Sequence, residues 1–134
     1  MKKIATIIPL VFLSVFSFSS CKKEAGEGGN SSIYGSVTVR NYNSTFTDLL
    51  SEYPGADEDV YIIYGNDKSY SDKIKTNYLG IYEFKYLRPG NYKIYIYSKD
   101  STLQSPSGIV PVVKEVEITD NDQEIKAPDI TIFK

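Results

Sequence analysis

The stretch TNYLGIYEFKYLRPGNYKIYIYS, residues 76–98, decides the fold. Tyr82 and Phe84 alternate with Glu83 and Lys85. After Arg88-Pro89-Gly90-Asn91, Tyr92, Ile94 and Ile96 alternate with Lys93, Tyr95 and Tyr97. Residues two apart share one face of a strand, whereas a helix would bring residues three and four apart together. Proline presets one backbone angle of a tight turn and glycine supplies the other. The stretch therefore reads as two strands joined by a short turn. Tyr82 and Tyr92 lie on the apolar face; Tyr95 and Tyr97 share the opposite face with Lys93 and Lys99.

The same period-two pattern extends to both sides. Ile33, Gly35, Val37 and Val39 alternate with Tyr34, Ser36, Thr38 and Arg40. Val60, Ile62 and Tyr64 alternate with Tyr61 and Ile63 before the turn residues Gly65-Asn66-Asp67. Two more runs, 112–119 and 130–133, flank an Asp120-Asn121-Asp122 turn. Many short strands with turn signals between them predict an all-β sandwich over 33–134. One segment departs from the pattern. In 45–53, Phe46, Leu49, Leu50 and Tyr53 recur at helical spacing ahead of Pro54-Gly55, which predicts a short helical turn capping the sandwich.

The N-terminus has a different composition. Met1-Lys2-Lys3 precedes an apolar run from Ile4 to Phe18, shorter than the roughly 20 apolar residues of a membrane span, and it ends at Ser19-Ser20-Cys21. Cys21 is the single cysteine, so it has no internal disulfide partner. The layout resembles a bacterial lipoprotein signal, with residues 1–20 cleaved and Cys21 lipidated, although Phe18 stands where leucine is usual. Two or more acyl chains anchor stably, at about 0.8 kcal/mol per buried methylene. Lys22, in place of an inner-membrane-type aspartate, favours the outer membrane, facing the periplasm or the cell surface. Residues 21–32, glycine-rich and polar, read as a lipidated cysteine followed by a flexible tether reaching on the order of 20 Å.

The motifs Gly35-x-Val37, GADEDVYIIY (55–64), Thr76-x-x-x-Gly80-x-Tyr82-x-Phe84 and Leu87-x-Pro89-Gly90-x-Tyr92 resemble the carboxypeptidase regulatory-like and Cna-B-like domains. The resemblance covers most of 33–134 and implies a seven-stranded prealbumin-like (transthyretin-like) Greek-key sandwich. Some relatives carry a Lys–Asn isopeptide bond. Here the first strand has no lysine and residues 130–134 have no asparagine, so that bond is not expected.

Four outward tyrosines, Tyr34, Tyr61, Tyr95 and Tyr97, are candidate ligand-binding residues, because flat rings stack on apolar ligand faces. Tyrosine's preference for strands is the favoured account of them, since propensity alone can supply this many. Asp120, Asp122 and Glu124 fall at every second position and form a calcium candidate, without the central glycine of a full calcium loop. Asp100-Ser101-Thr102 resembles a bacterial O-glycosylation signal, which implies a glycan on Ser101.

Loss of residues 1–20 removes only Lys2 and Lys3. It takes the formal net charge from −2 to −4, with 13 of the 15 basic residues left against 17 acidic ones. That balance argues against nucleic acid. There is no histidine and no glycine-rich phosphate loop, so no enzyme and no cofactor are expected. The sequence predicts a non-catalytic, lipid-anchored envelope protein that binds or adheres through a glycan, a peptide or a protein partner. The alternative is a structural accessory subunit of an outer-membrane protein complex.

Overall fold

The computed structural model describes residues 24–134; the expected signal peptide and Cys21 lie outside the described residues. Among the described residues, nine strands form two sheets. β1 (Glu27–Tyr42) is the axis of the first. One of its edges takes β5 (Ile81–Leu87) and then β2 (Leu49–Pro54), both antiparallel. The other takes β8 (Glu124–Lys126) and then β9 (Ile130–Phe133), both parallel. The second sheet runs β4 (Asp72–Lys75), β3 (Asp59–Tyr64), β6 (Gly90–Lys99), β7 (Ile109–Ile118), antiparallel throughout.

The alternation in sequence becomes the core. Ile33, Val37 and Val39 of β1, Val60 and Ile62 of β3, Tyr82, Phe84 and Leu87 of β5, and Tyr92, Ile94 and Ile96 of β6 are all buried. They share one cluster with Val116, Ile118, Ile130 and Ile132. β-branched residues dominate it because a pleated surface suits their stiff side chains. Two glycines are required by geometry. Gly35 faces Tyr82 across β1 and β5, and a Cβ there would run into the phenol ring. Gly80 has φ +75°, where its Cβ would stand 2.5 Å from the Val37 carbonyl oxygen. It closes a turn in which Asn77 Oδ1 accepts the Leu79 and Ile81 amides.

Three expectations need correction. The strands number nine, not seven, because β1 recruits the short β2 and β8. Residues 27–32 of the expected tether are the first third of β1. Ser31 and Ser32 are buried there, and the Ser31 hydroxyl donates to the Asp120 carbonyl. Gly29 lies so close to the Leu87 carbonyl that no side chain fits, so here glycine serves close packing. The helical turn over 45–53 is absent as well. Residues 43–48 form a loop in which Asn43 Oδ1 accepts the Thr47 and Asp48 amides, and 49–54 are β2. The unpaired edge of β1 supplies partners from Thr38 to Tyr42, and that pairing outweighs a weak helical spacing.

Candidate functional site

The outer face of the second sheet holds the aromatic side chains. Register places Tyr61 of β3 beside Tyr95 of β6, Tyr95 beside Val113, and Tyr97 beside Pro111 of β7. The Tyr61 and Tyr95 rings stack, with centroids 4.9 Å apart and planes 8° from parallel. Tyr97 meets both of them edge-on at 5.6 Å. Tyr70, from the β3–β4 loop, closes on Tyr61 edge-on at 5.0 Å. These are favoured aromatic geometries, worth about 0.5–1.5 kcal/mol per pair beyond area. Tyr70 and Tyr97 remain half exposed, at 51% and 50%. Burial, and then neighbouring Tyr97, push the Tyr95 phenol above its ordinary value. A shallow hollow of about 240 Å³ opens beside the cluster, lined by Ile63, Lys68, Tyr70, Tyr95, Tyr97 and Val113. The Lys73 ammonium sits 6.0 Å from the Tyr61 ring centre, at the outer limit of a cation–π contact.

Three of the four outward tyrosines thus come together, and the fourth does not. Tyr34 lies on β1, in the other sheet, between Glu83 and Lys126. Tyr70 was missed in the sequence because it stands in the polar loop Gly65–Ser71, where alternation gives no signal. Larger hollows, about 540 and 750 Å³, open around Gly65, Asn66 and Asn91, where no stacked cluster lies.

No protein-family model matches the chain, and no curated protein matches it. Among solved structures, a proposed carbohydrate-binding protein of Pseudomonas aeruginosa is similar over 82% of this chain and 92% of its own. The identity is 14% and the TM-score 0.47. An (S)-allantoin synthase is similar over 79% of this chain and 43% of its own, at 12% identity and a TM-score of 0.40. Likenesses this slight carry no assignment of function.

Several acidic groups have local partners. Lys75 pairs with Asp59 at 3.2 Å and Asp57 at 3.8 Å, and Lys134 pairs with Glu58. Asp67 accepts the Ser71 hydroxyl. Among the described residues no three acidic, cysteine or histidine side chains gather as a metal-holding group, so Asp120, Asp122 and Glu124 do not converge. Their turn is closed by Gln123, whose Oε1 accepts the Thr119 and Asp120 amides. Asp100 organises the next loop. Its carboxylate accepts the Thr102 hydroxyl and the Thr102, Gln104 and Ser105 amides. Those bonds, the Thr102 hydroxyl first, hold it down at about 2. Ser101 is exposed on that loop.

Proposed function

We propose that the protein is a non-catalytic, lipid-anchored envelope module that binds carbohydrate through the tyrosine face of its prealbumin-like sandwich. The observation that carries this reading is the cluster Tyr61, Tyr70, Tyr95 and Tyr97. Strand propensity accounts for single outward tyrosines, but it does not bring a loop tyrosine onto the stack. The exposed ring faces and edges are a platform for the apolar C–H face of a sugar, and the hydroxyls and nearby lysines supply its polar partners. The absence of histidine and the locally paired carboxylates support a binding role over a catalytic one.

Cys21 supports the anchor reading, and the position of Gly26 sets where such an anchor would hold the sandwich. The Gly26 amide donates to the Tyr92 hydroxyl at 2.9 Å, and Ala25 packs on the core. Only four peptide units separate Cys21 from Ala25, a leash of at most ~14 Å. A lipidated Cys21 therefore holds the sandwich by the end that carries Gly65–Asp67 and Arg88–Asn91, with the tyrosine face to the side. Retention of a Cys21→Ser chain in the outer-membrane fraction would overturn the anchor.

The binding reading is tested by affinity electrophoresis in gels cast with a panel of neutral and acidic polysaccharides, comparing the parent chain with Tyr95→Ala/Tyr97→Ala. At least one polysaccharide should retard the parent and not the variant, while the variant keeps its fold by circular dichroism. Equal migration of the two proteins in every gel sinks the reading. A second reading, an accessory subunit of an outer-membrane complex, has its own support. Edge strand β2 is exposed along its whole length, with Leu49, Leu50 and Tyr53 open, and Leu79 lines a hollow with Tyr53. Co-purification with an outer-membrane protein, lost in Leu50→Asp, would favour it.

A further inference from the structure

We infer that the sugar bound at the tyrosine face carries carboxylates: the ligand is a uronate polymer, a conclusion that rests on the carbohydrate reading above. The basis is the distribution of charge on that face. Lys68 lines the hollow, Lys73 stands over Tyr61, and Lys93 and Lys99 share the outer face of β6 with Tyr95 and Tyr97. All four are exposed, and none makes a salt bridge among the described residues. Lys75, Lys126 and Lys134 are each paired with a carboxylate, and away from this face Lys85 and Lys114 make no salt bridge among the described residues, so what marks the tyrosine face is the gathering of four unpaired lysines around the rings. The acids on the tyrosine face are Asp59, held by Lys75, and Glu115 and Glu117, which lie on β7 opposite Lys93 and Asn91. The cations nearest the rings, Lys68 and Lys73, therefore keep their charge for a ligand. A local positive rim on a chain of formal net charge −2 draws in an anion and disfavours neutral competitors.

The placement of the rings separates a glycan from an acidic peptide. Extended peptides gain affinity by pairing their backbone with an exposed sheet edge. The stacked pair is on β3 and β6, the two central strands, and the edges of this sheet are β4 and β7. Flat rings and unpaired cations, with no strand edge beneath them, suit a sugar that stacks its ring and presents its carboxylate outward.

The test uses the full chain, with polygalacturonate, alginate and hyaluronate as probes. Methyl-esterified polygalacturonate supplies the same sugar without its charge, and polyglutamate the charge without a sugar. At least one uronate polymer should bind, and raising the salt should weaken it, since exposed charge interactions are screened. Lys68→Gln/Lys73→Gln should weaken binding roughly five- to tenfold, the scale of two rim charges. Esterified and free polygalacturonate binding equally would overturn the carboxylate inference and leave the sugar platform standing. Polyglutamate binding as tightly as the best uronate would overturn it in favour of an acidic peptide. Binding confined to neutral polysaccharides would overturn it too. If no polysaccharide binds, the carbohydrate reading fails with it.

Discussion

Tyr92 and Tyr95 stand three residues apart on β6 and are put to opposite uses. Tyr92 faces inward, 1% exposed. Its hydroxyl donates to the Arg88 carbonyl four residues upstream, at 2.5 Å, and accepts the Gly26 amide. That arrangement ties the N-terminal segment and the β5–β6 turn to the core, much as tyrosine corners do in other sandwiches. Tyr95 faces outward and spends its ring on Tyr61 and Tyr97. The difference teaches that strand parity alone makes one tyrosine a structural fastener and another part of a surface.

The largest test of that contrast is truncation. Tyr92→Ala leaves a cavity and frees Gly26, and should cost about 3–5 kcal/mol, as large aromatic deletions in cores do. Tyr95→Ala should cost about 1 kcal/mol, the loss of exposed ring contacts. Urea denaturation of both variants checks this, and equal losses would break the division between the two faces. Gly35→Ala comes next. It places a methyl group against the Tyr82 ring and should cost about 1–3 kcal/mol, the usual penalty of overpacking. A variant of unchanged stability would mean that Tyr82 does not lie over Gly35.

The smallest expected effect concerns hydroxyls. The Tyr82 hydroxyl is buried with no hydrogen-bond partner among the described residues, and burial pushes it up to about 12. Tyr82→Phe removes a buried polar group that nothing satisfies, so it should leave stability unchanged or slightly raised. A loss of more than about 1 kcal/mol would reveal a partner. The raised phenol also predicts a pH dependence. Its neutral form is the one that suits the fold, so the contribution is complete below the unfolded value of 10.0 and is lost as pH climbs toward about 12. Ultraviolet titration of the parent chain against Tyr82→Phe should therefore show the ionisation of Tyr82 accompanying alkaline unfolding.

Much of this molecule was legible one residue at a time. The inward set from Ile33 to Val39, from Val60 to Ile62, and through Tyr82, Phe84, Tyr92, Ile94 and Ile96 follows from period two, because adjacent side chains on a strand must face opposite ways. The outward direction of Tyr61, Tyr95 and Tyr97 follows from the same count. The two segments that misled are those where local composition competes with pairing. Gly28-Gly29-Asn30 has the composition of a linker, yet glycine is also what allows β1 to lie against Leu87. Phe46, Leu49, Leu50 and Tyr53 repeat at helical spacing, yet the free edge of β1 draws 49–54 into a strand.

The sequence by itself determined which face of the alternating strands is buried, where the turns between them fall, the single cysteine after an apolar run, and the lack of histidine. Tertiary structure alone decided which strands are neighbours. That is why Tyr61 stacks on Tyr95 and not on Tyr34, why Tyr70 joins from a loop, and why Lys75 and Lys134 are neutralised while Lys68 and Lys73 are free. Parity is a property of the covalent chain and is readable at every residue. Sheet order and the pairing of strands far apart in sequence are set by long-range packing, whereas register within a hairpin follows the apolar pattern and the turn.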